Sequence, residues 1–196
     1  MLAGLTGNIG SGKTTVLGLF AKLGACTTSA DEIVKRLLGE DEIKQQIRAA
    51  LGSGVFCGDD TLDKQKTAAL VFNNPELRKT LEGIVHPAVM REIKQFANLN
   101  TGDITVAEIP LLFEGGFEAE VDVIITVTAP KGLVFDRLGK KGGLPEDDVI
   151  KRLACQIPDE QKTANSDFVV VNSGDIAFAE QQVREIYRLL RHRCNV

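Results

Sequence analysis

Short apolar runs alternate with amphipathic stretches along this chain, a pattern typical of a parallel sheet covered by helices. Five runs have the length and composition of buried strands: Leu2 to Leu5, 25–28, 104–109, 121–127 and 168–171. Helical spacing predicts helices over about 12–22, from about 31, from 130, over 145–156 and over 176–191. We therefore expect an α/β fold with a five-stranded parallel sheet between helices and with ligand loops at the carboxyl ends of the strands.

Residues 40–98 differ from the rest of the chain, because they carry mostly helical spacing and little strand signal. Turn residues predict breaks in this region at 52–58, at 73–75 and at His86-Pro87. We expect a single domain over 1–196 in which 40–98 form a helical insert.

The composition is that of a soluble globular protein, with 43% hydrophobic and 26% charged residues. No apolar run approaches the roughly 18 residues of a membrane span, and residues 1–6 lack the basic start of a signal peptide. The net charge of −4 disfavours general nucleic-acid binding, which needs a basic face. We expect a cytoplasmic protein, monomeric or weakly oligomeric, without a nucleic-acid or membrane partner.

Residues 7–14, GNIGSGKT, match the Walker A pattern and lie between a predicted strand and a predicted helix. The glycines in this loop can adopt backbone angles closed to other residues, which turns successive N–H groups toward a phosphate. Lys13 is then placed to reach the β and γ phosphates, and Thr14 to offer its hydroxyl to Mg²⁺. The alternative is a glycine-rich turn without a ligand.

A phosphate-binding loop indicates nucleotide binding but leaves the reaction open, since kinases, GTPases and motor ATPases share it. The NKxD motif that recognises guanine is absent from the sequence, which disfavours a GTPase. A kinase needs a group that orients the acceptor hydroxyl and a cationic lid over the phosphoryl group. The sequence offers a candidate for each.

Asp31 is the candidate for orienting or deprotonating the acceptor, because it follows the end of the second predicted strand. The alternative role for Asp31 is to cap the next helix, which Ser29 could also do. His86 is a lone histidine in the helical insert, and it is either an acceptor contact or a packed side chain. Glu108 and Glu114 follow the third strand and could organise Mg²⁺ or water, or Glu114 could be an exposed turn residue.

Arg137 is the candidate for the lid cation, because it lies on a helix just before a glycine-rich loop predicted over 139–143. We expect a lid over 137–156. Lys140 and Lys141 are further candidates for phosphate contacts, and their alternative is a solvated basic loop. Arg152 and Lys162 are additional cationic candidates.

Taken together, these motifs resemble the dephospho-coenzyme A kinase family. The resemblance covers almost the whole chain in order: GLTGNIGSGKT at 4–14, ADEI at 30–33, IVHPAV at 84–89, EIPLLFE at 108–114, Arg137, and Gln156 with Lys162, Asp167 and NSG at 172–174. It implies a P-loop NTPase fold and transfer of the γ phosphate of ATP to the 3′-hydroxyl of the dephospho-coenzyme A ribose. Mg²⁺ would assist this reaction, which is the last step of coenzyme A synthesis. The family often has DAD where this chain has Ser29-Ala30-Asp31, so one carboxylate is replaced.

The resemblance also implies residue roles. Lys13, Asp31 and Arg137 would be catalytic, with Thr14 as the metal ligand. ATP would bind Asn8, Ile9, Gly10, Ser11, Gly12, Lys13, Thr14, Thr15, Arg137 and Asn172. The acceptor would bind Asp31, His86, Pro87, Pro110 and Leu111. Two rival functions remain at this stage, a kinase for another small hydroxyl acceptor and a regulator that senses ATP without turnover.

Overall fold

The computed structural model of this protein describes residues 1–101, 103–143 and 145–194, and for 140–142 and 146 it describes the backbone alone. The chain forms two compact units, one comprising Met1–Ser29 with Phe96–Val196 and the other comprising Ala30–Gln95. Within the described ranges no helix combines the length and the apolar composition that a bilayer crossing requires.

The first unit is built on a parallel sheet. Its strands are β1 (Leu2–Thr6), β2 (Cys26–Ser29), β3 (Thr105–Glu108), β4 (Val123–Thr128) and β5 (Phe168–Val171). They lie in the order β2-β3-β1-β4-β5, and every pairing is parallel. The predicted five-stranded parallel sheet is thereby confirmed for the part of the chain that the structure describes.

The described helices follow the strands in an α/β alternation. They are α1 (Lys13–Lys22), α2 (Ala30–Leu37), α3 (Asp41–Leu51), α4 (Lys64–Phe72), α5 (Pro75–Leu99), α6 (Lys131–Gly142), α7 (Glu146–Ala154), α8 (Asp159–Ala164) and α9 (Ile176–Cys194). In the first unit, α1 packs against α9 and β3. The core below them is almost entirely aliphatic, as expected for strands buried on both faces, and includes Leu5, Val16, Phe20, Val106, Ile125, Val127, Val183 and Leu190.

The strand register brings the carboxyl ends of the strands to one edge of the sheet. Glu108, the last residue of β3, pairs with Leu5 of β1 on one side and with Ser29 of β2 on the other. The loops that follow β1, β3, β4 and β5 therefore emerge at the same edge, where ligands bind in open α/β sheets.

The second unit is helical, and one prediction for it is wrong. Helix α5 continues through His86-Pro87, where the sequence predicted a break. Proline removes a backbone donor and crowds the carbonyl four residues earlier, which here belongs to Gly83. Buried apolar side chains on both sides of the proline, Val85, Ala88, Val89, Met90 and Ile93, continue one helical face, and their packing outweighs this local penalty.

The glycine-rich loop predicted over 139–143 is also wrong in its extent. Helix α6 continues to Gly142 and ends at Gly143, whose left-handed φ of 57° suits a helix C-cap. The side chains of Lys140 and Lys141 lie outside the described residues, so their proposed phosphate contacts stay predictions.

Candidate active site

The loop between β1 and α1 has the backbone of a phosphate-binding loop. Gly7, Gly10 and Gly12 all have positive φ angles, of 141°, 78° and 92°. A Cβ atom at Gly12 would collide with the side-chain amide of Asn172, and one at Gly7 with the carbonyl oxygen of Val127. Glycine is therefore required at both positions by backbone angle and by space.

Lys13 is buried and holds this loop from within. Its ammonium donates hydrogen bonds to the carbonyl oxygens of Gly7, at 3.0 Å, and Asn8, at 3.3 Å. Both acceptors are carbonyl oxygens of the loop itself, and Lys13 also lines the adjoining cavity, where its positive charge can meet an anion.

Arg137 and Asn172 hold the loop from the other side. The Arg137 guanidinium donates to the carbonyl oxygens of Gly10 and Ser11, each at 3.1 Å, and to Oδ1 of Asn172 at 3.2 Å. The Asn172 amide in turn donates to the Ser11 carbonyl at 2.8 Å. Because a peptide group is planar and trans, fixing the Ser11 carbonyl on these donors directs the Gly12 N–H the opposite way.

These residues line one cavity of about 460 Å³ in the first unit. It brings together the sequence-predicted residues Gly10, Gly12, Lys13, Thr14, Thr15, Arg137 and Asn172, while Asn8, Ile9 and Ser11 lie in the same loop. Glu108, which the sequence left open as an organiser of Mg²⁺ or water, also lines the cavity.

Thr14 and Glu108 form the pair best suited to a divalent cation. The Thr14 hydroxyl donates to Glu108 Oε1 at 3.3 Å, and Glu108 is only 6% exposed. Among the described residues no group of three or more His, Cys, Asp and Glu side chains forms a metal cage. Mg²⁺ at nucleotide sites needs none, because it retains waters and binds one or two protein oxygens together with the phosphates. The residues present therefore fit this ion.

A second group of side chains reaches the loop from the segment between α7 and α8. Gln156 Oε1 accepts the Ile9 N–H at 2.9 Å, and the neighbouring Ile157 N–H donates to Glu114 Oε1 at 3.0 Å. Glu114 is therefore not the exposed turn residue that the sequence left possible. Lys162, one of the additional cationic candidates, is completely buried, and its Nζ lies 2.8 Å from the same Glu114 oxygen. Lys162 Nζ has no hydrogen-bond partner among the described residues, so this contact is an ion pair.

Asp159, at the start of α8, lies in the field of two of these lysines. Burial raises the pKa of its carboxyl above the ordinary 3.8, and the charges of Lys162 and Lys13 oppose that rise. Asp159 was not a candidate from the sequence, because nothing in its local pattern links it to the loop at 7–14.

The residues after β3 are split between the interior and the surface. Pro110 is half-buried and its carbonyl accepts a bond from the Thr6 hydroxyl at 3.3 Å, whereas Leu111 is 44% exposed. Neither lines the cavity described above.

Asp31 belongs to the second unit, in the first turn of α2. Its carboxylate is exposed, and within the described residues no group donates a hydrogen bond to it. The capping interpretation thus lacks the bond that a cap requires. Asp31 follows Ser29, the residue paired with Glu108 in the sheet, by two positions along the chain.

The second unit contains a groove of about 340 Å³ that includes His86. Aliphatic side chains form most of it, and the polar groups are Lys64, Thr67, Glu82 and His86. Pro87 is exposed and does not line this groove.

The loop, the cavity and the order of the strands define a P-loop NTPase fold with a nucleotide-binding site at the carboxyl edge of the sheet. A model of the dephospho-CoA kinase family matches residues 1–177. The chain belongs to the dephospho-CoA kinase family, whose enzymes are transferases that phosphorylate dephospho-CoA with ATP in the final step of coenzyme A biosynthesis.

Individual relatives agree with this assignment. The chain is 36% identical over 190 residues to a dephospho-CoA kinase from Methylococcus capsulatus, with 96% of each sequence covered. It is similar to a solved structure from Thermus thermophilus, with a TM-score of 0.85, 32% identity and 97% of each chain covered. It also resembles the dephospho-CoA kinase from Campylobacter jejuni, with a TM-score of 0.62, 25% identity and 96% of each chain covered.

Proposed function

We propose that this protein transfers the γ phosphate of ATP to the ribose 3′-hydroxyl of dephospho-CoA, using the cavity at residues 7–14 for the nucleotide. The observation that carries the proposal is the convergence of Lys13, Thr14, Glu108 and Arg137 on that one cavity. Two cations and a hydroxyl–carboxylate pair at a helix N-terminus match the charge distribution of a nucleoside triphosphate with its metal.

Lys13 and Arg137 carry the phosphoryl-transfer chemistry in this proposal. Their charges face phosphate oxygens from two sides of the loop and stabilise the charge that spreads over the transferred group. Backbone N–H groups at the start of α1 add neutral donors whose orientation is fixed before ATP arrives. The hydrogen bonds of both cations to loop carbonyls hold them in place, so little reorganisation is needed during the reaction.

Thr14 and Glu108 would hold Mg²⁺. An ion held by these residues would supply positive charge that offsets the negative charge of the phosphates. The hydrogen bond between the two side chains aims both oxygens at the same region of the cavity before any ion binds.

Asp31 and the second unit would serve the acceptor. The exposed carboxylate of Asp31, free of a capping bond, can orient the acceptor hydroxyl or accept its proton. The groove with His86 offers aliphatic surface for the pantetheine arm or the adenine, and Lys64 offers a cation for the diphosphate. We assign Pro87, Pro110 and Leu111 as further acceptor contacts on the strength of the family resemblance.

Both substrates are water-soluble, and we propose that the reaction takes place in the cytoplasm. With a net charge of −4, the chain as a whole does not attract anions. Lys13 and Arg137 at the cavity provide local positive charge for an anionic substrate.

The test is to incubate the purified protein with ATP and MgCl₂ and either dephospho-CoA or adenosine, and to follow ADP and product. We expect turnover with dephospho-CoA, with phosphorus NMR of the product showing coupling to the ribose 3′ proton. Turnover with adenosine in preference would indicate a kinase for another acceptor, and ATP binding without turnover would indicate a regulator. Lys13→Ala, if folded by circular dichroism, should be inactive in the same assay.

A further inference from the structure

The Glu114–Lys162 ion pair lies inside the first unit, where charges are rare. Lys162 has no exposed side-chain area, and Glu114 Oε2 is buried without a hydrogen-bond partner among the described residues. Burying both members of an ion pair carries a desolvation penalty that a surface pair avoids. Replacing a buried ion pair by apolar residues of similar volume is often neutral or stabilising, so packing alone gives no reason for this pair.

Glu114 connects Lys162 to the segment that contacts the phosphate-binding loop. The same carboxylate oxygen, Oε1, meets both Lys162 Nζ and the backbone N–H of Ile157. Gln156 is the next residue back along the chain, and its side chain accepts the Ile9 N–H. The Glu114–Lys162 pair thus holds the backbone at Ile157. The preceding residue, Gln156, contacts the phosphate-binding loop.

The peptide group that Gln156 contacts also provides one of the two loop carbonyls to which Lys13 donates. The Ile9 N–H belongs to the Asn8–Ile9 peptide, whose carbonyl oxygen accepts from Lys13 Nζ at 3.3 Å and from the Ser11 N–H at 3.1 Å. Rotation of that peptide would move one of the carbonyl oxygens that hold the ammonium. The other contacts to the loop from Arg137 and Asn172 hold carbonyl oxygens, whereas Gln156 holds an N–H.

We propose that Glu114, Lys162 and Gln156 are positioning residues that fix the Asn8–Ile9 peptide and, through it, the ammonium of Lys13. This inference rests on the proposed function of the cavity. It assigns the buried ion pair to the alignment of the phosphate-binding loop, with no contact of its own to the substrates.

The central variant is Gln156→Ala, compared with Gln161→Ala, an exposed glutamine on α8. A small displacement of a catalytic group can lower the rate about 100-fold, so we expect kcat to fall by about 10- to 100-fold in Gln156→Ala. The KM for ATP should change by less than about 3-fold, because Lys13 and Arg137 still meet the phosphates. Gln161→Ala should match the unsubstituted protein.

The link to the ion pair is tested by combining substitutions. Lys162→Met removes the cation and keeps the volume, and Glu114→Gln keeps an acceptor for Ile157 while removing the negative charge that faces Lys162. Each should lower kcat, and adding Gln156→Ala to either should cause little further loss, since all act through one peptide. If Lys162→Met does not fold, the double-mutant cycle of Glu114→Gln with Gln156→Ala gives the same test.

A readout independent of turnover is hydrogen exchange of the Ile9 amide in the ligand-free protein. We expect protection of this amide to fall in Gln156→Ala and in Glu114→Gln, and to persist in Gln161→Ala. If the unsubstituted protein does not phosphorylate dephospho-CoA, the proposed function fails while this measurement still decides the inference.

Three results would overturn the inference. They are a kcat of Gln156→Ala equal to that of Gln161→Ala, tighter ATP binding without loss of kcat, or additive effects of Gln156→Ala and Glu114→Gln. Tighter ATP binding would mean that Gln156 merely occupies the Ile9 N–H, which would otherwise bind phosphate. Additive effects would mean that the ion pair supports the fold alone.

Discussion

The Thr14 hydroxyl on α1 donates a hydrogen bond to Glu108 Oε1 at the end of β3, across 3.3 Å. The two residues are separated by 94 positions in the chain and are brought together by the pairing of β1 with β3. One supplies a neutral oxygen and the other a buried charge, so their contributions to metal binding can be separated by substitution.

Glu108→Gln should weaken Mg²⁺ binding by the enzyme without removing the oxygen that Thr14 contacts. The amide keeps the shape of the carboxylate but loses its charge, and Mg²⁺ prefers charged oxygen ligands. We expect the Mg²⁺ concentration for half-maximal activity to rise by about 10- to 100-fold. The measurement is a MgCl₂ titration of the initial rate at fixed ATP. Glu118→Gln, an exposed glutamate after β3, is the control, and identical titrations for both variants would exclude Glu108 as a ligand.

Arg137→Lys should lower kcat although it keeps the charge. The guanidinium donates hydrogen bonds to two loop carbonyls and to Asn172 at the same time, and a lysine ammonium cannot reproduce that planar geometry. We expect a loss of about 100- to 1,000-fold for Arg137→Ala, comparable to the removal of one transition-state donor, and a smaller loss for Arg137→Lys. Steady-state kinetics with saturating ATP measure both. Arg184→Lys on α9 should leave kcat unchanged, and an equally unchanged Arg137→Ala would make Arg137 a structural residue.

Asp31→Asn distinguishes the catalytic role from the capping role. If Asp31 orients or deprotonates the acceptor, kcat should fall by about 100- to 10,000-fold with little change in the affinity for ADP. Asparagine caps helices about as well as aspartate, so a pure cap would leave activity intact. Steady-state rates with dephospho-CoA give kcat, and equilibrium binding gives the affinity for ADP. Full activity in the variant would return Asp31 to the role of a helix-terminal residue.

His86→Ala should raise the KM for dephospho-CoA more than it lowers kcat. His86 lines the groove of the second unit, and a contact made equally in the ground state and the transition state affects KM alone. Varying dephospho-CoA at saturating ATP measures this change. The chain has one other histidine, the exposed His192 on α9, and His192→Ala is the matched control. A KM that stays the same in both variants would remove His86 from the acceptor site.

Local patterns were sufficient for the sheet and for the nucleotide loop. The β5 strand has the bounds that its apolar run predicted, Phe168–Val171, although this edge strand is only partly buried. The loop at 7–14 was recognisable because its glycines and lysine act at fixed neighbouring positions.

The rest depends on contacts between distant residues, which no local pattern carries. Gln156 and Ile9 are 147 positions apart, and the Lys162–Glu114 pair joins α8 to the segment after β3. The wrong break at Pro87 has the same origin, because the buried face of α5 outweighs the local preference of proline. Lysine and glutamate are ordinarily surface residues, so a sequence pattern alone gives no reason to bury them.

The stability of the first unit should depend on pH through Asp159. Burial raises the pKa of this carboxyl above 3.8 in the folded protein, while the unfolded chain keeps the ordinary value. Above the folded-state pKa, the ionised carboxylate destabilises the folded state. As the pH falls through that pKa toward 3.8, the folded state takes up a proton before the unfolded state does, and the penalty disappears.

Asp159→Asn mimics the protonated group, so the variant should unfold at a higher temperature than the unsubstituted protein at pH near 7. The difference should shrink as the pH approaches 3.8. Thermal unfolding followed by circular dichroism across this range tests the sign, and a variant that is less stable at neutral pH would show that attraction to Lys162 outweighs the burial of Asp159.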